Sequence, residues 1–281
     1  MILIADCGST KIHWCLLDNE GGVAGEFFTG GINALMLSRE EISSRFADEL
    51  MPVLPKVCIN KAFFYGAGCV SPDVCDSVAD ALRDNIPSLV SVEVTTDLLA
   101  AARALCGHNP GVACILGTGS NSCYYDGTRI VDNVSPLGYI LGDEGSGAVL
   151  GRTLVGDVLK SQLPADLCDK FLNRFNLDRL TIIRRVYREP QANRFLASLA
   201  PFLLENIDRP EIRDLVYNSF RAFFVRNVCH YPQAAALGVG FVGSIAYYYS
   251  DILRAAAASC GLTVTDILRD PMPGLITYHT T

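Results

Sequence analysis

The chain has 281 residues, half of them hydrophobic and 19% charged, enough for one large or two ordinary domains with a sizeable core. A net charge of -7 argues against a general nucleic-acid binder, although backbone amides can still hold an anion. Eleven cysteines without a CxxC pair, and only four histidines, argue against a zinc or iron–sulfur site. Buried thiols in a reducing cytoplasm are expected instead of a disulfide framework. No apolar run reaches the roughly 18 residues of a membrane span, so a soluble, cytoplasmic protein with no membrane partner is expected.

In chain order, Ile2–Asp6, Ile12–Asp18 and Val23–Thr29 are predicted strands of a meander, with Asn19-Glu20-Gly21-Gly22 as a hairpin turn. A helix is predicted over Arg39–Leu50, with Ser38 and Glu41 forming a capping box. Ala62–Tyr65 is the next strand and ends at Gly66-Ala67-Gly68. Pro72–Asn85 is a helix capped by Ser71, Leu89–Thr95 a strand, and Leu98–Leu105 a helix. Strands then recur at Val112–Leu116 and Cys123–Tyr125, and Gly127 and Gly138 punctuate a further hairpin. Helices follow over Gly147–Lys160, Asp166–Phe175, Leu180–Tyr187, Arg194–Glu205 and Arg213–Cys229. Ala235–Val239 is predicted as a strand and Ser244–Ser259 as a helix. The pattern is that of an α/β protein in two similar halves, divided near Cys106–Pro110.

The halves repeat one device. Ile2–Asp18 and Ala113–Asp126 each run as an apolar strand, a Gly-Ser turn and a second strand, with Gly8-Ser9 matching Gly119-Ser120. Such turns can present main-chain N–H groups to phosphate. Four glycine-bearing turns (Asp6–Lys11, Gly66–Gly68, Gly117–Ser120 and Gly240–Ser244) flank strands, where α/β sheets bind ligands. There is no GxxxxGK[ST] loop, and Gly145-Ser146-Gly147 does not complete a GxGxxG.

Three acids stand in these settings. Asp6 ends a strand beside Gly8-Ser9-Thr10-Lys11, where it could hold magnesium through water or form an Asx-turn. Asp97 follows a strand and starts a helix, so it is either an N-cap or a carboxylate able to take a hydroxyl proton; Thr96 could cap in its place. Asp143 and Glu144, within Gly142–Gly147, either complement a helix N-terminus, bind hydroxyls of a polar substrate or help place a metal.

These motifs resemble the actin, hexokinase and heat-shock chaperone superfamily, and within it the BadF/BadG/BcrA/BcrD-type ATPases and N-acetylglucosamine kinases. Asp6–Lys11 looks like a phosphate-1 motif, Ile115–Asn121 like phosphate-2 and Gly240–Ser244 like the adenosine motif. Thr95-Thr96-Asp97 resembles the segment of the catalytic acid, and Gly138–Ser146 the sugar-site loop. The resemblance implies two ribonuclease-H-like (actin-like ATPase) domains with an interdomain nucleotide cleft. They would span 1–106 and 107–266, the latter with a helical insertion, and the tail 267–281 would return to the first. It also implies an ATP- and magnesium-dependent kinase for an amino sugar. Asp97 would be the general base and Asp6 the residue that positions hydrated magnesium. Gly8, Ser9, Thr10, Lys11, Gly117, Thr118, Gly119 and Ser120 would hold phosphates, and Gly243 and Ser244 would border adenosine. Asn33, Gly68, Gly138, Asp143 and Glu144 would line the sugar. Ala34 stands where the animal kinase has a bulky aromatic, so its N-acetyl contact does not carry over.

Two rival readings are an ATPase that activates a redox partner and a non-catalytic ATP- or sugar-binding protein. The implied partner is a small sugar, not a nucleic acid, and a homodimer is compatible with the pattern.

Overall fold

The computed structural model describes residues 1–8 and 10–281, so Ser9 lies outside the described residues. The chain divides into one unit of Met1–His108 with Pro271–Thr281 and a second of Asn109–Asp270.

The first unit is built on β1 (Ile2–Cys7), β2 (Lys11–Leu17), β3 (Val23–Gly30), β4 (Lys61–Gly66) and β5 (Ser91–Thr96). Their order across the sheet is β3-β2-β1-β4-β5, with β1, β4 and β5 parallel and β2 and β3 antiparallel. Strand alternation sorts the side chains of β1. Leu3, Ala5 and Cys7 enter the core shared with Trp14, Phe46, Phe64 and Leu82, while Ile4 points to the other face with Ala100 and Leu275. By the same period Asp6 lies on the face of Ile4. The Trp14 indole N–H is satisfied by Thr29 Oγ1 at 2.9 Å, which lets this large ring be fully buried.

Helices α1 (Arg39–Arg45), α2 (Pro72–Asn85) and α3 (Asp97–Cys106) complete this part of the chain. The Ser38–Glu41 capping box is present, but α1 passes at Phe46–Leu50 into a wider π-type turn. Ser71 makes no side-chain cap, whereas Thr96 Oγ1 caps α3 by accepting the Leu99 N–H at 3.2 Å.

The C-terminal helix, Met272–Thr280, packs on α3, and the two backbones approach at Gly274 and Ala104. His279 is the polar anchor. The Tyr65 hydroxyl and His279 Nε2 share a hydrogen bond of 2.7 Å, Arg103 donates to the Tyr65 oxygen at 2.8 Å, and Arg103 also pairs with Glu93 at 2.7 Å. Phe63 stacks on the imidazole at 3.8 Å.

The second unit repeats the sheet. Its strands are β6 (Gly111–Leu116), β7 (Ser120–Tyr125), β8 (Ile130–Asp132), β9 (Val239–Val242) and β10 (Val264–Leu268), in the order β10-β9-β6-β7-β8. Mapping β6 onto β1 makes the two strand orders the same: an antiparallel meander of three, then two parallel strands. This is the two-domain actin-like α/β architecture.

The helices of this unit are α4 (Gly138–Leu141), α5 (Gly147–Leu159), α6 (Ala165–Phe175), α7 (Arg179–Tyr187), α8 (Ala192–Ala197) and α9 (Ala200–Glu205). They continue with α10 (Pro210–Arg226), α11 (Ala234–Leu237), α12 (Ser244–Tyr248) and α13 (Ser250–Ser259). Their apolar faces bury Leu150, Phe171, Phe202, Phe220, Phe224 and Leu253 against Cys114, Leu116 and Phe241 of the sheet.

Several expectations need correction. Gly138 opens α4 and belongs to no hairpin. Ala235–Val239 is not a strand: three alanines wind into α11, and the strand starts at Val239, after Gly238 reverses the chain at φ +73°. The Arg194–Glu205 helix is two, as is Ser244–Ser259, where Tyr249 turns into the core and its hydroxyl donates to the Ala200 carbonyl at 2.7 Å. Strand β10 and the C-terminal helix were not anticipated.

Burial, then the charges of Arg103 and His108, push the His279 pKa down to about 4 from its ordinary 6.5. The folded state therefore favours neutral imidazole. Its contribution is fully present above pH 6.5 and is lost as pH falls through about 4, on the order of 2 kcal/mol once solvent screening is allowed for. Thermal melts at pH 4.5 and 7 should show a smaller acid loss in His279→Gln than in the parent. Identical pH slopes in the two proteins would refute this.

Candidate active site

In the first unit, the parallel strands end together. Cys7, Gly66 and Thr96 are in register, and the Ala67 N–H extends the ladder to the Cys7 carbonyl at 3.1 Å. Just beyond this edge lie the Gly8–Lys11 turn, Gly68 and Asp97. The turn is closed by Gly8 N–H donating to Lys11 O at 3.0 Å. Lys11 holds its ammonium 5.0 Å from the centre of the Phe28 ring.

Because Thr96 caps α3, the Asp97 carboxylate is spared that task. Burial raises its pKa, while the N–H groups of Leu98 and Asp97 itself pull it down. The Cys7 thiol senses both acids of this edge. Burial first, with Asp6 and Asp97 adding, raises it to about 12 against its hydrogen bond to Ile32 O, so Asp6 and Asp97 share one neighbourhood.

Asn33 stands at the same edge. Its Oδ1 accepts the Leu35 N–H at 3.2 Å, and its side chain is exposed. Gly68 packs directly on Asn33 Oδ1. It adopts φ +89°, and a Cβ there would collide with that oxygen.

In the second unit, three motifs distant in sequence meet around Gly117–Ser120. Gly147 and Ala148 N–H groups donate to the carbonyls of Gly117 and Thr118 at 2.8 and 3.1 Å, joining the turn to the start of α5. The Asp143 carboxylate lies against Gly119, with the Ser120 N–H near enough to favour its charged form. Gly243 sits against the Leu116 carbonyl, and its N–H donates to Leu268 O at 2.9 Å. Within the turn, Gly117 N–H is engaged by Gly119 O at 3.0 Å. Among the described residues, the N–H groups of Thr118 and Gly119 bond no protein acceptor. These two are the donors the turn can offer an anion.

Asp143 has the left-handed φ of +53°, which Asp tolerates better than most residues. Burial, with the neighbouring Glu144 charge, raises its carboxyl pKa to about 6, against the Ser120 N–H. Glu144 does not face the turn. It pairs with Arg226 of α10, at the rim of a groove of about 630 Å³ between α5 and α10. Gly138 opens α4 near exposed Leu137, Ile140 and Leu141. The acid pairs and the α10 contacts behind them were not singled out from sequence, although Ser219, Phe220, Phe223, Arg226 and Asn227 recur at helical spacing.

No family model and no curated protein matches the chain. Among solved structures, a Porphyromonas gingivalis protein provisionally named an N-acetylglucosamine kinase is 48% identical, over 100% of this chain and 99% of that one, with a TM-score of 0.96. A Chromobacterium violaceum protein of the same provisional name is 21% identical over 99% and 98% of the two chains, at 0.75. A ROK family glucokinase from Streptomyces griseus, solved with glucose and AMPPNP, is 14% identical over 99% and 97%, at 0.61. The last two show the fold alone, two α/β units each built on a five-stranded mixed sheet. At the level of the first, the chain belongs to the N-acetylglucosamine kinase-like branch of the BadF-type ATPase family.

Carboxyl carbon NMR of the unliganded protein should show an acid with a midpoint near 6 that disappears in Asp143→Asn. A midpoint near the ordinary 3.8 would remove the claim that burial perturbs this group.

Proposed function

We propose that the protein is an ATP-dependent kinase that transfers the γ-phosphate to a hydroxyl of an amino sugar, with N-acetylglucosamine as the first candidate. The observation that supports it most is the 48% identity, over the whole chain, to a protein provisionally named for that activity.

In this reading the sugar hydroxyl oxygen attacks the γ-phosphorus, the bond to the ADP oxygen breaks, and Asp97 takes the hydroxyl proton. A carboxylate whose pKa is raised by burial is a better proton acceptor than an ordinary surface aspartate. The Gly8–Lys11 turn, together with the Thr118 and Gly119 N–H groups, holds phosphate oxygens. Gly117 and Ser120 shape that turn instead of donating to the ligand: the Gly117 N–H is engaged by Gly119 O, and the Ser120 N–H faces the Asp143 carboxylate. Gly243 and Ser244 border the adenosine. Asn33 donates to the sugar through its amide, and ionised Asp143 accepts from sugar hydroxyls. Asp6 offers the hard carboxylate oxygen that magnesium accepts when water and phosphate complete its shell, and it shares a neighbourhood with Asp97. Bound magnesium would neutralise phosphate charge. A cytoplasmic setting supplied with ATP belongs to this reading.

Coupled ADP release over a panel of hexoses and amino sugars tests it. Turnover should require a sugar and be highest with an amino sugar. ADP release indifferent to every sugar would refute the kinase. Asp97→Asn should lower kcat by about 10²–10⁴-fold while ATP still binds, since only the proton acceptor is lost. Near-normal turnover would remove Asp97 from its role. Gly68→Ala should raise the sugar KM by about tenfold and leave the ATP KM unchanged, because its methyl displaces the Asn33 side chain. Equal effects on both KM values would refute a local action on Asn33.

A further inference from the structure

One face of α10 grips the Gly142–Gly147 turn. Ser219 Oγ accepts the Gly145 N–H at 3.2 Å. A Cβ on Gly145 would stand 3.2 Å from Phe223 and 3.3 Å from Phe220, so the turn lies tight on the helix. Arg226 Nε forms an ion pair with Glu144 Oε1, and Asn227 Nδ2 donates to Oε2 at 3.4 Å, so both carboxylate oxygens are held. From α5, Arg152 donates to the carbonyls of Tyr139 and Ile140, steadying the preceding turn.

The burial of the two charges is unequal. The Glu144 side chain is 16% exposed and the Arg226 side chain 61%. A carboxylate this far withdrawn from water needs its partner, and the partner can be changed without opening the core. Arg226 also ends α10, where a cation complements the helix dipole and a lone carboxylate would oppose it. The neighbouring residue is Asp143, whose carboxylate lies against Gly119 of the Gly117–Ser120 turn.

We infer that Arg226, backed by Asn227 and Ser219, is a positioning residue: by anchoring Glu144 and Gly145 it sets the direction in which Asp143 meets the acceptor sugar. This rests on Asp143 being the ligand of the sugar hydroxyls. Arg226 itself touches neither substrate nor reacting atoms in this scheme. Its second effect is electrostatic. Its cation offsets part of the Glu144 charge, and that charge raises the proton affinity of Asp143. The other charged groups around Glu144 are Arg152, Asp157, Glu211 and Asp214, which line the groove on its far side.

The test uses the full chain as Arg226→Met and Arg226→Lys, with Asp143→Asn as reference. Hydrogen exchange over 138–147, without any substrate, should quicken in Arg226→Met and return toward the parent in Arg226→Lys. With N-acetylglucosamine and ATP, Arg226→Met should raise the sugar KM about tenfold and shift the ATP KM by less than about twofold. The acid limb of kcat/KM for the sugar should move to higher pH, which a purely structural strut would not cause. Unchanged exchange, or an unchanged sugar KM and acid limb in a folded Arg226→Met, overturns the inference. Faster exchange in Arg226→Met with a parental sugar KM in Asp143→Asn would show a real clamp that serves no sugar ligand. That result overturns both the role given to Arg226 and the assignment of Asp143, whereas failure of Arg226→Met alone leaves Asp143 standing.

Discussion

The phosphate-2 turn and the loop carrying Asp143 behave as one piece because they are stitched by backbone groups. Gly147 and Ala148 donate to the carbonyls of Gly117 and Thr118, and the Asp143 carboxylate lies against Gly119. Both backbone bonds join residues 30 positions apart in sequence. With those carbonyls occupied, the remaining N–H groups of the turn, on Thr118 and Gly119, are turned to another use. The loop that carries Asp143 and the Gly117–Ser120 turn are thereby coupled. Moving one moves the other.

The first unit solves a related problem with side chains. Thr96 takes over the capping of α3, and Asn33 spends its oxygen on the Leu35 N–H. In each case a neighbouring group meets the local structural demand and leaves the chemically useful one available: a carboxylate in Asp97, an amide donor in Asn33. Gly68 has no side chain because Asn33 occupies the space where one would begin.

Much of this was legible in the sequence. The paired strand–turn–strand devices at Ile2–Asp18 and Ala113–Asp126 appear as β1-β2 and β6-β7, and the shared strand order of the two sheets extends the repeat beyond them. The Ser38–Glu41 box and the limits of α2 could be read directly, since capping and periodicity are local properties. What escaped was set by distant contacts. The exposed residues Thr265 and Asp266 hid β10, which is a strand only because β9 lies beside it. The alanines before Gly238 have no packing signature of their own and were taken for a strand. Arg226 and Asn227 look like an ordinary helix end until Glu144, more than 80 positions earlier, is placed against them.

The first unit is assembled from two stretches of chain, Met1–His108 and Pro271–Thr281, while the second is continuous from Asn109 to Asp270. During synthesis the early strands must therefore wait. The face around Ile4, Tyr65 and Ala100 stays uncovered until Met272 and Leu275 emerge, and Tyr65 and Arg103 until then lack His279. The second unit can be finished first. A chain still on the ribosome would therefore hold a finished second sheet while the first still lacks the helix that closes it.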